Sequence, residues 1–490
     1  MERLSGLDAT FLYLETTNTP MHVAGLIVFD PSELRGEWSI ERIKEMYRER
    51  LHLAPPFRRR LVEVPFQLHH PLWIEDPDFD LDSHIRHVAV PPPGGMQQLE
   101  QLVSTLVEIP LDRTRPLWET WIIEGLENGY VASLTKVHHC AIDGKAGNQI
   151  MVSMFDLSPE GTPIPEPEEP WRPDHIPNEF ELVGYALGSL ARQPVRALKA
   201  LRRTTEVALN IRRRNRQPDV QPPPAPFAAP RTSFNRPLTP RRTFAARSLP
   251  LGEVKQIKNT VGCTVNDVVL ALCAGALRLW LDEQGEKPDA PLVAMVPVSV
   301  RDPKAKGNEG NEVSSMLTTL ATDVDDPLER LRAISACMRQ AKEQHNLIGA
   351  DTLRNWAEFA APALAGRAAR LYSRMKIAGI HRPLFNLTIS NVPGPPFPLY
   401  LAGGRVIATY PIGPIFDGAG LNITVMSYID SLDFGLLACP DVLPGVHRIA
   451  DGLAEALEDL TKAVTRTRPS RKRPKATRSP RRVQAEHEQT

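Results

Sequence analysis

Apolar and polar positions divide the chain into two patterned stretches joined by Pro-rich segments. In the first, Val131 to Val137 (VASLTKV) alternates with the period of a half-buried strand and delivers His138 and His139 at its end. Lys145 to Phe155 then sets Ile150, Met151, Met154 and Phe155 at helical spacing, so the histidine pair falls on a strand-to-helix turn. From Ser158 to Pro177 the composition shifts to Pro and Glu, which predicts a linker. Phe180 to Arg216 reads as a helix. At about 100° per residue, Leu187, Leu190, Leu198 and Leu201 share one side, and Arg192, Arg196, Lys199 and Arg203 share the other. Pro194 predicts a kink in it. The run Arg212-Arg213-Arg214-Asn215-Arg216 closes it, ahead of a second Pro-rich stretch from Pro218 to Pro230.

The second patterned stretch runs from about Thr239 to Thr465. Thr264 to Trp280 predicts a mostly apolar helix, and Leu292 to Val300 a buried strand ending at Arg301-Asp302. Asp325-Asp326-Pro327 predicts a helix start, with an acidic cap and Pro in the first turn. Leu384 to Ser390 predicts a strand ending in the turn Asn391-Val392-Pro393-Gly394-Pro395. Leu421 to Tyr428 and Leu432 to Ala438, separated by Ile429-Asp430-Ser431, predict a hairpin. The organisation expected is therefore a domain over 1–157, a Pro-rich and basic helical linker over 158–238, a second domain over 239–465, and a disordered basic tail over 466–490.

Composition narrows the function. With 490 residues, two or three domains are expected, and 42% hydrophobic and 24% charged residues are globular values. A formal net charge of zero argues neither for nucleic acid nor for a strongly acidic partner, and no nucleic-acid partner is expected. The five cysteines, Cys140, Cys263, Cys273, Cys337 and Cys439, lack CxxC spacing, so no disulfide framework, no zinc site and a reducing compartment are expected. The N-terminus has no secretory pattern, and the most apolar run, Val268 to Leu281, is broken by Arg278. Any membrane contact is expected to be peripheral.

The candidate chemistry lies in His138-His139-Cys140-Ala141-Ile142-Asp143-Gly144, an HHxxxDG pattern. An imidazole titrating near pH ~6.5 can take a proton from a hydroxyl, amine or thiol at neutral pH. A carboxylate four residues on, followed by Gly at a tight turn, can fix the loop that presents the ring. Cys140 reads as a small apolar filler. A second pair, His69-His70, precedes Pro71-Leu72-Trp73 without an Asp-Gly, and reads as structural.

Several segments together resemble the bacterial wax ester synthase/acyl-CoA:diacylglycerol acyltransferases. They are LSGLDATFLYLETTNTPMHVAGLIVFD (Leu4 to Asp30), LDRTRPLWE (Leu111 to Glu119), KVHHCAIDG (Lys136 to Gly144), TVNDVVLA (Thr264 to Ala271), NVPGP (Asn391 to Pro395) and GLNITVMSY (Gly420 to Tyr428). The resemblance spans roughly residues 4 to 460. It implies an α/β fold, the two-domain chloramphenicol acetyltransferase-like sandwich, with the active site in a channel between the domains. It also implies transfer of a fatty acyl group from acyl-CoA, as co-substrate, to diacylglycerol or a long-chain alcohol. No bound cofactor and no metal are implied. Residue by residue, His139 would be the general base and later protonate the CoA thiolate. His138 would support it. Asp143 would tie the loop to an arginine, with Arg59, Arg60 and Arg301 as candidates, and Gly144 would permit the turn. Asn266 would aim a donor at the oxyanion, a contribution of ~3–4 kcal/mol. Asp267 would hold the second domain in place; the alternative for Asn266-Asp267 is a helix-capping pair. Pro116-Leu117-Trp118 and Asn391 to Pro395 read as structural turns. The implied location is cytoplasmic, at the inner face of the membrane or at lipid inclusions. HHxxxDG alone also fits condensation-type enzymes that use carrier-protein thioesters, and a lipid-binding scaffold could keep the fold without catalysis.

Overall fold

The computed structural model describes all residues except 35, 143–146, 148, 149, 151, 152, 168, 191–226, 300–312, 349–361 and 467–490. Asp143, Gly144, Arg301, Asp302, most of the helix expected from Lys145 to Phe155, and the basic residues from Arg192 to Arg216 therefore lie outside the described residues.

The N-terminal half begins with β1 (Glu2–Arg3), α1 (Gly6–Leu14), β2 (His22–Asp30) and α2 (Ile40–Arg50). It continues through β3 (Arg59–Val62), β4 (Leu72–Glu75), β5 (Ile85–Ala89), α3 (Met96–Glu108), β6 (Trp118–Glu124) and β7 (Val131–His138). After α4 (Glu179–Leu190), the C-terminal half starts with β8 (Thr243–Pro250), α5 (Leu251–Val261), α6 (Val265–Gln284), β9 (Val293–Ser299), β10 (Val313–Thr319), α7 (Pro327–Ile348) and α8 (Pro362–Arg374). It ends with β11 (Leu387–Val392), β12 (Tyr400–Leu401), β13 (Gly404–Ile412), β14 (Leu421–Tyr428), β15 (Ser431–Ala438) and α9 (Val446–Arg466).

Two six-stranded sheets carry the molecule. One runs β12-β13-β2-β7-β6-β5 and the other β10-β9-β11-β14-β15-β8. The second sheet packs with α5, α6, α7 and α9 around the apolar stretch of α6, where Val268 to Leu277 and Trp280 are almost wholly buried. The expected helix, first strand and hairpin of this half form because each buries its apolar side in one core, but the strand expected over Leu384 to Ser390 runs Leu387–Val392, so Asn391 and Val392, expected in the turn, pair with Val425 and Met426 of β14. Asp326 starts α7 by accepting the Leu328 and Glu329 amides at 2.9 and 2.8 Å.

The halves are not separate along the chain. β12 and β13 belong by residue number to the C-terminal stretch, 239–465, yet β13 pairs antiparallel with β2 of the first sheet from Arg405↔Asp30 to Ile412↔Ala24. Where the sheets approach, Gly435 of β15 lies under the Pro411 carbonyl of β13, and a Cβ there would sit 2.0 Å from that oxygen. A second link uses the free edge of β8. Glu108 Oε1, Ser104 Oγ and Glu100 Oε1, one helical turn apart on α3, accept the amides of Arg242, Phe244 and Ala246 at 2.6, 2.8 and 2.8 Å. The other Glu100 oxygen meets His447 Nε2 at 3.1 Å and raises that imidazole's pKa.

Candidate active site

β7 is central in its sheet, and its register with β2 sets His138 directly opposite His22. The His138 ring is 1% exposed. Its Nδ1 accepts the Cys140 amide at 3.1 Å, so in the neutral ring the proton sits on Nε2. Nε2 faces Glu15 Oε1 at 3.6 Å, a charge contact longer than a hydrogen bond. Glu15 also accepts the Met21 amide at 3.2 Å and is clamped by Arg113, whose Nε lies 3.0 Å from Oε2. Burial pushes the Glu15 carboxyl up, but His138 and then Arg113 outweigh it and hold the group down at about 2. Burial, Lys136 and His138 together keep His22 well below the usual imidazole range, hence neutral.

His139 is placed differently. It is half-buried, at the first residue beyond the strand. Its amide donates to Met21 O at 2.8 Å, and its ring lies flat on Phe11 of α1, centroids 3.9 Å apart and planes 7° apart. Ser5 caps α1 by accepting the Asp8 amide at 3.1 Å, which fixes the helix that carries Phe11.

Lys136, two residues before the pair, is fully buried. Its ammonium meets Glu119 at 2.7 Å and donates to the Leu106 and Ile109 carbonyls at 2.9 and 2.7 Å, at the C-terminus of α3. His138 N–H donates to Leu117 O at 2.9 Å. Trp118 next door is stacked by Phe57, His84 and Tyr47, so the Pro116-Leu117-Trp118 segment packs as structure. Cys140 is buried beside Leu4, Ala9, Leu12 and Leu117, and burial pushes its thiol well up. These contacts bring the opening block, LDRTRPLWE and KVHH together around one histidine pair.

The other singled-out residues sit in the C-terminal half. Asn266, in the first turn of α6, accepts from Asn391 Nδ2 at a long 3.5 Å. Asp267 closes a capping box with Thr264, at 2.9 and 3.2 Å, and accepts Ser335 Oγ of α7 at 3.1 Å. Gly394 is required by close approach: a Cβ there would stand 2.1 Å from the Ser427 carbonyl. Arg59 pairs with Glu75 at 2.8 Å and Arg60 with Asp76 at 3.2 Å.

Comparison with known proteins gives this assembly its family. The model of the wax ester synthase/diacylglycerol acyltransferase catalytic domain matches residues 4–269, and that of the WS/DGAT C-terminal domain matches 309–461. The chain belongs to the wax ester synthase/diacylglycerol acyltransferase family. Within it, a Mycobacterium tuberculosis protein named "Putative diacyglycerol O-acyltransferase" is 40% identical over 94% of this chain and 90% of its own length. A second M. tuberculosis protein of that name is 35% identical over 94% and 98%. Among solved structures, the wax ester synthase/diacylglycerol acyltransferase from Marinobacter aquaeolei VT8 superposes with a TM-score of 0.64 at 31% identity, covering 94% of this chain and all of that one. The starter condensation domain of rhizomide synthetase shares the fold at 14% identity and a TM-score of 0.54, over 95% and 94% of the two chains. The fold is thus the two-domain, chloramphenicol acetyltransferase-like α/β architecture.

Proposed function

We propose that this family member transfers a long-chain acyl group from acyl-CoA to the hydroxyl of diacylglycerol, and of long-chain alcohols, with His139 as general base. The observation that carries this is the contrast within the pair. His138 is almost wholly buried, spends Nδ1 on a backbone amide and turns Nε2 to the Glu15 carboxylate, whereas His139 is half-buried and held flat by Phe11. In the reaction, a ring nitrogen of His139 takes the acceptor's hydroxyl proton as the oxygen adds to the thioester carbonyl. The oxyanion then collapses, the C–S bond breaks, and the CoA thiolate receives the proton from the imidazolium.

Asn266 is the proposed oxyanion donor: its Oδ1 engages Asn391, which leaves its NH₂ group to donate. Asp267 supports it by fixing the first turn of α6. Asp143 and Gly144 keep the loop-ordering roles that the resemblance implies. Acyl-CoA is a co-substrate, and the acceptors' insolubility in water requires work at a lipid surface, in contact with a membrane or a lipid inclusion. Thiol release from palmitoyl-CoA, with and without diacylglycerol, tests the reading. Release should need the acceptor and vanish in His139→Ala; acceptor-independent release, or release surviving that substitution, overturns it.

A further inference from the structure

A different surface, made by α8 and the turn after it, has no part in the steps above. From Pro362 to Phe385 the sequence contains no Asp or Glu but five Lys or Arg: Arg367, Arg370, Arg374, Lys376 and Arg382. All five are exposed and none makes an ion pair with a described residue. Cations elsewhere on the molecule do find acids: Arg448 bonds Glu283 and Glu455, and Lys462 bonds Glu458 at 2.7 Å.

Apolar side chains are exposed among these cations. Leu371 is 54%, Met375 59% and Ile380 76% exposed. The helical period accounts for this. Gly366 and Ser373 are buried, while Arg367, Arg370, Leu371 and Arg374, at i, i+3, i+4 and i+7, are exposed and share one face of α8. The turn Pro65–Gln67 also touches α8 and displays Phe66, 88% exposed at φ +57°, a conformation that a bulky residue rarely adopts. Water solvates the arginines but not the leucine, methionine, isoleucine and phenylalanine between them. An acidic protein or polynucleotide would answer the charge alone. A bilayer or lipid-inclusion surface bearing anionic headgroups answers both, headgroups to the cations and acyl chains to the apolar groups.

We infer that the outer face of α8, with Ile380 and Phe66, is the surface on which this protein docks to anionic lipid. The inference rests on the acyltransferase reading for its purpose, because α8 lies directly on α1, the helix whose Phe11 backs His139. Docking there brings the His139 side of the molecule to the lipid that holds the acceptor.

The test is flotation of the full-length chain with phosphatidylcholine vesicles, with and without phosphatidylglycerol, at low and high salt. Two triple variants are compared with wild type, R367Q/R370Q/R374Q and L371S/M375S/I380S, each checked for an unchanged melting curve. Wild type should float with the anionic vesicles and be released by salt. The Gln variant should lose about fivefold in partition per charge removed, and the Ser variant should partition less into both vesicle types. Both should release CoA as wild type does when the acceptor is dispersed in detergent. Wild-type partition in either variant, or no flotation of wild type, overturns the proposal. So does a raised KM for palmitoyl-CoA with unchanged partition, which would assign the cations to the CoA phosphates. Flotation is read without turnover, so failure of the docking surface and failure of the acyltransferase reading are separable.

Discussion

Two histidine pairs occur in this chain, and α1 and the residue after it touch both. His69 and His70 are 4% and 3% exposed. His70 Nδ1 bonds Tyr13 OH at 2.6 Å, and His69 Nε2 lies 3.5 Å from Arg3. At the other pair, His138 is equally buried, but His139 is half-open and held by a ring face and a backbone amide. The residues are chemically identical, so the difference lies in where each ring is held. Three of the four rings are almost wholly buried, whereas His139 is half-buried and laid face-on against Phe11 at the end of the strand.

The largest effect that would break this comparison is expected at His139. His139→Ala should lower turnover by ~10²–10⁴-fold with an unchanged melting temperature; near-normal CoA release in a folded variant would remove the distinction between the pairs. Glu15 comes next. Its carboxyl is held at about 2 against an ordinary 4.5, so its stabilisation is present above pH 4.5 and lost as pH falls toward 2. That difference corresponds to roughly 3 kcal/mol. Urea unfolding of wild type at descending pH should show this acid limb, and Glu15→Gln should flatten it.

His70→Ala should cost about 1–3 kcal/mol of stability, by leaving the half-buried Tyr13 hydroxyl without this partner, while kcat per folded molecule stays unchanged. A fall in kcat there would give the second pair a catalytic share. Phe11→Leu sharpens the comparison most gently. Losing a stacked ring is worth about 0.5–1.5 kcal/mol, and the loss should appear in kcat rather than in KM for palmitoyl-CoA.

What could be read in the sequence was what is local. The alternation of Val131 to Val137, the apolar run of α6, the Asp326 cap and the β14–β15 hairpin carry their own periodicity or turn chemistry, and the histidine pair is visible as a motif. The neighbours of that pair were not singled out. Phe11 and Glu15 reach it across more than a hundred residues, and Arg113 acts through Glu15, 98 residues away, which no window of periodicity spans. A signal did exist: Glu15 and Arg113 are opposite charges in two of the blocks that carried the family resemblance. The crossing of β12 and β13 into the first sheet was equally hidden, because strand pairing of that range leaves no mark in composition.

The α3 side chains along the edge of β8 make the seam between the halves a reporter of its own integrity. The amide protons of Arg242, Phe244 and Ala246 are held by Glu108, Ser104 and Glu100 across that seam. Their exchange with deuterium therefore requires α3 and β8 to part, without either sheet unfolding. Exchange at these three amides, read against neighbours bonded within the sheet, gives the free energy of parting α3 from β8. Added acyl-CoA or lipid vesicles would then register as a change in that one number.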